Sequence, residues 1–84
     1  MTDSKNKPVD TLRDGSLSVA IWANPTKDGL DLRYSVELER NYKDANDNWQ
    51  STGYLSNGEI LRGARLLQKA YDYIGERRRA QATT

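Results

Sequence analysis

Residues 30–42 read LDLRYSVELERNY, and this stretch decides the fold. Apolar side chains occupy every second position from Leu30 to Leu38, and polar or charged side chains occupy the positions between them. A period of two is typical of a β-strand that buries one of its faces. We therefore predict a long strand here with one face on a core. Beyond Leu38 the same face carries Arg40 and Tyr42, so the strand runs past the core or bulges.

Two shorter strand-like runs flank this strand. Upstream, the run from Leu17 to Ala23 alternates in the same way, and Asp28-Gly29 marks the tip of the loop that follows it. Downstream, residues 43–48 are dense in turn formers, and a weaker run with Ser and Thr extends from Trp49 to Leu55. Short turns of this kind join antiparallel strands, and the weak third run suits an edge position.

An amphipathic helix is predicted from about residue 57 to Ile74. Ser56 and Glu59 have the spacing of a capping box directly before an apolar run, and Gly75 is placed as the C-terminal cap. Apolar residues cover roughly half of the helix circumference. One stripe of them is expected to face the sheet, namely Ile60, Ala64, Leu67, Tyr71 and Ile74. The remaining flank is expected to need a second partner, and it holds Leu66, Ala70 and Tyr73.

These elements predict an α+β fold, in which an antiparallel sheet of three or four strands is followed by one C-terminal amphipathic helix. The domain is expected over residues 12–76, between a disordered N-terminal tail (1–11) and a basic, flexible C-terminal tail (77–84). At 84 residues a single core is only just sufficient, and small domains compensate with disulfides, metals or oligomerisation. Because the chain has no Cys and no His, we predict a homodimer that packs through the helix flank.

The composition favours neither an enzyme nor a membrane protein. Thirteen basic and twelve acidic residues leave a net charge of +1, so no strong field attracts nucleic acid or membrane. Residues 1–10 are polar and lack the apolar core of a signal peptide. We expect a cytoplasmic protein without metal or cofactor. No nucleophile has an adjacent base, and Glu37 and Glu39, about 7 Å apart along the strand, are typical of an exposed strand face rather than of a catalytic pair.

The segment YSVELERNYKDANDNWQSTGYLSNGEILRGARLL, residues 34–67, resembles the single-stranded DNA-binding transcriptional coactivators, a superfamily that includes the positive cofactor and plant Whirly proteins. The opening from Asp14-Gly15 to Asn24 is also similar to small uncharacterised bacterial and mobile-element proteins. The coactivator resemblance implies an antiparallel sheet with a C-terminal helix, dimerisation through the helices and binding of single-stranded DNA. In this family an aromatic residue stands at the strand end, and that position matches Tyr42.

The candidate binding residues are aromatic side chains with cations nearby, because bases stack on rings and phosphates attract cations. The rings are Trp22, Tyr42, Trp49 and Tyr54, and the cations are Arg33, Arg40 and Lys43. Alternatively, the rings stabilise the sheet through cross-strand pairs. The run Arg77–Arg79 is a candidate phosphate contact, although such runs are more often solvated helix ends.

Two hypotheses about function follow. The first is a small homodimeric single-stranded nucleic-acid-binding protein, an accessory factor of transcription or replication. In this hypothesis Trp22, Tyr42 and Tyr54 stack on bases, and Arg33, Arg40 and Lys43 hold phosphates. The alternative is a protein–protein interaction module with no nucleic-acid role. The near-neutral charge, the acidic face of the long strand and the weak edge strand favour this alternative.

Overall fold

The computed structural model describes residues 7–82. Its elements in chain order are β1 (Asp10–Asp14), β2 (Leu17–Pro25), β3 (Leu32–Lys43), β4 (Trp49–Thr52), a 3-10 turn (Asn57–Glu59) and α1 (Ile60–Ala82). The four strands form one antiparallel sheet in the order β1-β2-β3-β4, so β4 lies at an edge as predicted. The predicted α+β arrangement, a sheet followed by one C-terminal helix, is confirmed.

The first strand begins inside the segment that was expected to be a disordered tail. Asp10 and Thr11 belong to β1, whereas residues 1–6 of that segment lie outside the described part of the chain. A two-residue turn, Gly15-Ser16, joins β1 to β2, and Gly15 has a φ of +63°. A positive φ at the first central residue is typical of a type II′ hairpin turn, where glycine is strongly preferred. The β1–β2 hairpin thus follows from local turn chemistry.

The core lies between one face of the sheet and α1. Leu17, Val19 and Ile21 alternate along β2 as predicted, and all three are fully buried. The β3 residues opposite them include Leu38, which pairs with Val19, and Val36, which pairs with Ile21. Since paired residues share a face, the apolar side of β3 lies on the helix side of the sheet.

A carboxylate organises the turn between β3 and β4. Asp44 Oδ1 accepts hydrogen bonds from the backbone N–H groups of Asn46 (2.9 Å) and Asn48 (3.0 Å), and Oδ2 accepts one from the side chain of Gln50 (3.1 Å). Asp47 adopts a φ of 67°, a left-handed conformation that Asp tolerates better than most residues. The acidic residues of this turn therefore have structural roles.

The helical segment begins at the predicted residue, Asn57, as a 3-10 turn that continues into α1 at Ile60. The capping box is present, and the Glu59 carboxylate accepts hydrogen bonds from the Ser56 backbone N–H (2.8 Å) and from its hydroxyl (2.9 Å). The predicted end is wrong, because α1 continues through Gly75 to Ala82. Arg77 lies in this extension and donates hydrogen bonds to the hydroxyls of two tyrosines, Tyr34 and Tyr73 (3.4 Å each). These contacts tie the extension to the fold, so the basic segment expected as a tail is helical up to residue 82.

The two apolar sides of α1 are the reverse of those expected. Leu66 and Ala70 are buried against the sheet and Tyr73 packs beside them, so the flank proposed as a dimer interface is part of the chain's own core. The stripe expected to face the sheet is largely exposed, including Ile60, Leu67 and Tyr71. Gly63 explains why α1 is rotated about its axis relative to the prediction, because its lack of a side chain lets the helix pack closely there. A Cβ on Gly63 would stand 2.9 Å from Leu55 Cδ1 and 3.2 Å from Leu38 Cδ2.

No helix within residues 7–82 combines the length and the apolarity needed to cross a membrane.

Candidate nucleic-acid interface at the end of the sheet

The candidate residues lie on both faces of the sheet. The cross-strand register places Trp22 opposite Ser35, on the face turned away from α1, which we call the open face. Arg33 and Lys43 share this face by the alternation of β3, and Trp49 joins them because it pairs with Lys43. The apolar residues of β3 and the buried apolar residues of β2 (Leu17, Val19 and Ile21) lie on the opposite side.

The structure does not bring all the predicted binding residues together. Trp22 and Arg33 lie near one end of the open face, whereas Lys43 lies eight residues from Ser35, roughly 27 Å along an extended strand. The open face between them carries Glu37 and Glu39, whose negative charges would repel a phosphate backbone. A continuous binding track along the whole open face is therefore not formed, and Trp22 and Arg33 are separated from the other candidates.

The cluster that does form lies at the end of the sheet where β3 turns into β4. The Lys43 ammonium stands 5.4 Å from the centroid of the Trp49 ring, within the range of a cation–π contact. Trp49 is 68% exposed, so its ring is available to a ligand. The two residues are directly paired across the β3–β4 ladder, which fixes their proximity.

A second cation–ring pair lies on the helix side of the same corner. The Arg40 guanidinium carbon is 5.4 Å from the centroid of the Tyr42 ring. Arg40 also donates a hydrogen bond from Nε to the backbone oxygen of Tyr54 (3.1 Å), and the same nitrogen lies 3.4 Å from Glu59 Oε1. The Tyr54 ring is 85% exposed. Four other candidate residues therefore lie around this corner with Lys43, namely Trp49, Arg40, Tyr42 and Tyr54.

An open notch separates the cluster from the β1–β2 turn. Asn41 donates its backbone N–H to the Ser16 oxygen (2.8 Å), and β3 continues beyond this contact. The space left beside the protruding end has a volume of about 780 Å³. It is lined by Gly15, Ser16, Asn41, Tyr42, Lys43 and Trp49. Sequence reasoning did not include the turn residues, although Asp14-Gly15 is a hairpin signal that could have indicated them.

Acidic side chains slightly outnumber basic ones at this corner. Lys43 lies 3.6 Å from Asp47 in an exposed ion pair, and Arg40 is paired with Glu59. A hydrogen bond from the backbone N–H of Ser56 is the main cause of the lowered pKa of Glu59. A hydrogen bond from the backbone N–H of Asn48 is likewise the main cause of the lowered pKa of Asp44. Both carboxylates therefore stay ionised at neutral pH, and the corner offers ring surfaces more than an excess of positive charge.

The three arginines near the C-terminal end of α1 contact other residues of the protein. Arg78 donates a long hydrogen bond to the backbone oxygen of Leu32 (3.5 Å), and Arg79 lies 3.3 Å from Glu76 in an ion pair. Arg77 also reaches the Tyr34 hydroxyl of β3, so Arg77 and Arg78 contribute to the contact between helix and sheet, whereas Arg79 pairs within the helix. Among residues 7–82 no group of three or more acidic, His or Cys side chains is placed to hold a metal ion.

Comparison with known proteins found no matching family, no similar curated protein and no similar solved structure.

Proposed function

We propose that this protein is a small homodimeric protein that binds single-stranded nucleic acid at the β3–β4 end of its sheet. Trp49 and Tyr42 would stack on bases, and Lys43 and Arg40 would lie near the adjoining phosphates. Trp22 and Arg33 lie outside this site, nearer the other end of the sheet. An accessory role in transcription or replication would suit such binding.

The observation that carries the proposal is the exposed Trp49 ring with the Lys43 ammonium 5.4 Å from its centroid, beside an open notch. A base that stacks on an exposed ring contributes about 1–3 kcal/mol. A cation close to the ring is suited to the phosphate that accompanies the base. Two rings and two cations would then support weak, sequence-tolerant binding.

The local charges predict the character of this binding. Because each cation already has a carboxylate partner, stacking rather than phosphate neutralisation should supply most of the affinity. Two phosphate contacts on single-stranded DNA would give a slope of roughly −1.4 for log affinity against log salt concentration. This slope is far smaller than that of strongly basic binding proteins.

A fluorescence-anisotropy titration of a labelled oligo-dT at low salt tests the proposal. Saturable binding that weakens in Lys43→Ala, but not in the matched control Lys27→Ala, supports it. Lys27 is an exposed cation in the loop between β2 and β3, at the other end of the sheet. Absence of binding at tens of micromolar protein would reject a nucleic-acid role.

The alternative function, a protein–protein interaction module, is favoured by a different observation. Part of β3 has no strand partner on its outer side among the described residues, and an exposed apolar stripe of α1 lies above it. Purification after nuclease treatment distinguishes the two functions. A stoichiometric second protein, without oligonucleotide binding, would favour the interaction module.

A further inference from the structure

The outer edge of β3 is only partly covered. Within residues 7–82, β4 pairs with residues 40–43 of β3, so the stretch from 32 to 39 pairs with β2 alone. The backbone N–H of Asn41 points toward β2, since it donates to Ser16. In an antiparallel strand the direction of the backbone N–H and C=O groups alternates from residue to residue. The backbone groups of the odd-numbered residues therefore point toward β2, and those of the even-numbered residues, such as Val36 and Leu38, point outward. An exposed edge of this kind is a template for another strand.

An apolar stripe of the helix lies on the same side. Leu67, Tyr71 and Arg78 follow one another at spacings of four and seven residues, which places them on one face of α1. Arg78 reaches the backbone oxygen of Leu32, so this face lies above β3. On the far side of the helix, Arg62 reaches Asp14 of β1 instead. The exposed Leu67 and Tyr71 side chains therefore adjoin the open strand edge.

We propose that a second copy of the chain pairs with this edge, β3 against β3 in antiparallel orientation, with the two-fold axis between the two Ser35 residues. On the open face Arg33 then lies opposite the partner's Glu37, and the symmetry repeats this ion pair. On the helix side Leu32 lies opposite the partner's Leu38. Opposite charges and apolar pairs directly across a ladder both stabilise it. The inference rests on the homodimer of the proposed function, and it does not depend on nucleic-acid binding.

Other registers fit less well. An axis at Glu37 would place the two Glu37 carboxylates opposite each other, and like charges in that position destabilise a ladder. An axis at Val36 would place Leu32 opposite the partner's Arg40, whose outer side β4 already occupies. The Ser35 register keeps the paired residues 32–38 within the uncovered stretch and places Arg33 opposite the partner's Glu37, while Glu39 meets the partner's Asp31 only beyond the end of β3.

The helices fit the same arrangement. α1 packs over β2, with β1 and β3 on either side. In the paired sheet, the distance between β2 of one protomer and β2 of the other is three strand spacings, roughly 14 Å. A helix with its side chains is about 10–12 Å across. Because that width already includes side chains, average side chains leave a gap of roughly 2–4 Å between the two helices. Long side chains such as Tyr71, which the monomer leaves exposed, can bridge this gap from both protomers.

Disulfide trapping tests the register, because the natural chain has no cysteine. Ser35 is in the non-hydrogen-bonded set of this edge, where facing Cα atoms lie about 4.5 Å apart, a separation that a disulfide spans. Under mild oxidation Ser35→Cys should form a covalent dimer nearly completely. The matched control Glu39→Cys lies four residues along the same face and outside the Arg33–Glu37 ion pair, and it should remain largely uncrosslinked. Faster trapping of Glu39→Cys, or none of Ser35→Cys, would overturn the register.

Charge reversal provides a second measurement by sedimentation equilibrium. Arg33→Glu should raise the dimer dissociation constant roughly tenfold, and the double variant Arg33→Glu with Glu37→Arg should restore it to within about threefold. Circular dichroism checks that each variant folds. Wild-type protein that is monomeric at high concentration would reject the homodimer itself. A wild-type dimer without Ser35→Cys trapping or charge rescue would reject this interface alone, and a different protein captured through Arg33 would assign the edge to that partner.

Discussion

Arg62 of α1 binds the carboxylate of Asp14 at the end of β1, a residue 48 positions earlier in the chain. Its Nη2 lies 2.9 Å from Oδ1 and its Nε lies 3.3 Å from Oδ2, and Nη2 also reaches the Asp14 backbone oxygen at 3.2 Å. This two-point contact holds one side of the helix over the β1–β2 hairpin. It therefore helps to determine which apolar side of α1 faces the sheet.

The Arg62–Asp14 contact predicts a pH-dependent contribution to stability. Hydrogen bonds from Arg62 are the main cause that lowers the pKa of Asp14 below its ordinary value. A carboxylate with a lowered folded-state pKa stabilises above its unfolded-state pKa, and this stabilisation is lost as the pH falls through the folded-state value. We expect Arg62→Ala to melt a few degrees below wild type at pH 7.

The difference between wild type and Arg62→Ala should shrink as the pH falls below about 4, and thermal denaturation between pH 7 and pH 3 measures it. Asp14→Asn should show the same neutral-pH loss, and the double variant should lose little more than either single variant. A difference from wild type that does not change with pH would contradict the assigned role of the carboxylate.

Two adjacent leucines test the orientation of the helix. Leu66 is 3% exposed in the core and Leu67 is 38% exposed on the outer stripe. Leu66→Ala should lower the free energy of unfolding by about 2–5 kcal/mol. Leu67→Ala should change it by roughly 0.5 kcal/mol or less in urea unfolding at a protein concentration low enough to give monomer. A larger loss for Leu67→Ala than for Leu66→Ala would instead support the orientation predicted from the sequence, with Leu67 facing the sheet.

A glycine comparison tests the β1–β2 turn. Gly15 has a positive φ, and a Cβ there would stand 2.5 Å from Arg62 Nη2. Gly15→Ala should therefore lower the free energy of unfolding by at least about 1 kcal/mol. The matched control is Gly58→Ala, since a Cβ on Gly58 meets no atom within 4 Å. Equal stability of the two variants in urea unfolding would show that the turn does not need glycine.

The β3–β4 turn should depend on the Asp44 carboxylate. Asp44→Ala removes the acceptor for two backbone N–H groups and for the Gln50 side chain, so its melting temperature should fall. Asp47→Asn, which keeps a residue tolerant of the left-handed conformation, serves as the control and should melt close to wild type. In a Trp22→Phe background, where Trp49 is the one remaining tryptophan, the fluorescence should shift in Asp44→Ala only. Identical spectra and melting for the two variants would exclude the structural role of Asp44.

The elements with strong local signals were predictable from the sequence. The alternation from Leu32 to Leu38 specified the long strand and its buried side, and the Ser56–Glu59 spacing specified the helix start. The β1 strand was missed because its five residues carry only one large apolar side chain, Leu12. The Gly15 turn was the better indicator of that hairpin.

The rotation of α1 and the composition of the site depend on tertiary contacts. An apolar arc over half of the helix permits two orientations, and close packing at Gly63 selects one of them. Likewise, Gly75 resembles a C-terminal cap in sequence, but the contacts of Arg77 with Tyr34 and Tyr73 favour continuation of the helix. Strand spacing alone could not show that Trp22 lies far from Trp49, because this distance depends on the register of three strands.

The most direct test of the central claim is the affinity of Trp49 variants for single-stranded DNA. Anisotropy titrations of labelled oligo-dT at low salt should give a roughly 5- to 100-fold weaker affinity for Trp49→Ala, the equivalent of about 1–3 kcal/mol of stacking. Trp49→Phe should retain most of the affinity because it keeps a ring. Wild-type affinity in Trp49→Ala, with the fold intact by circular dichroism, would contradict the account.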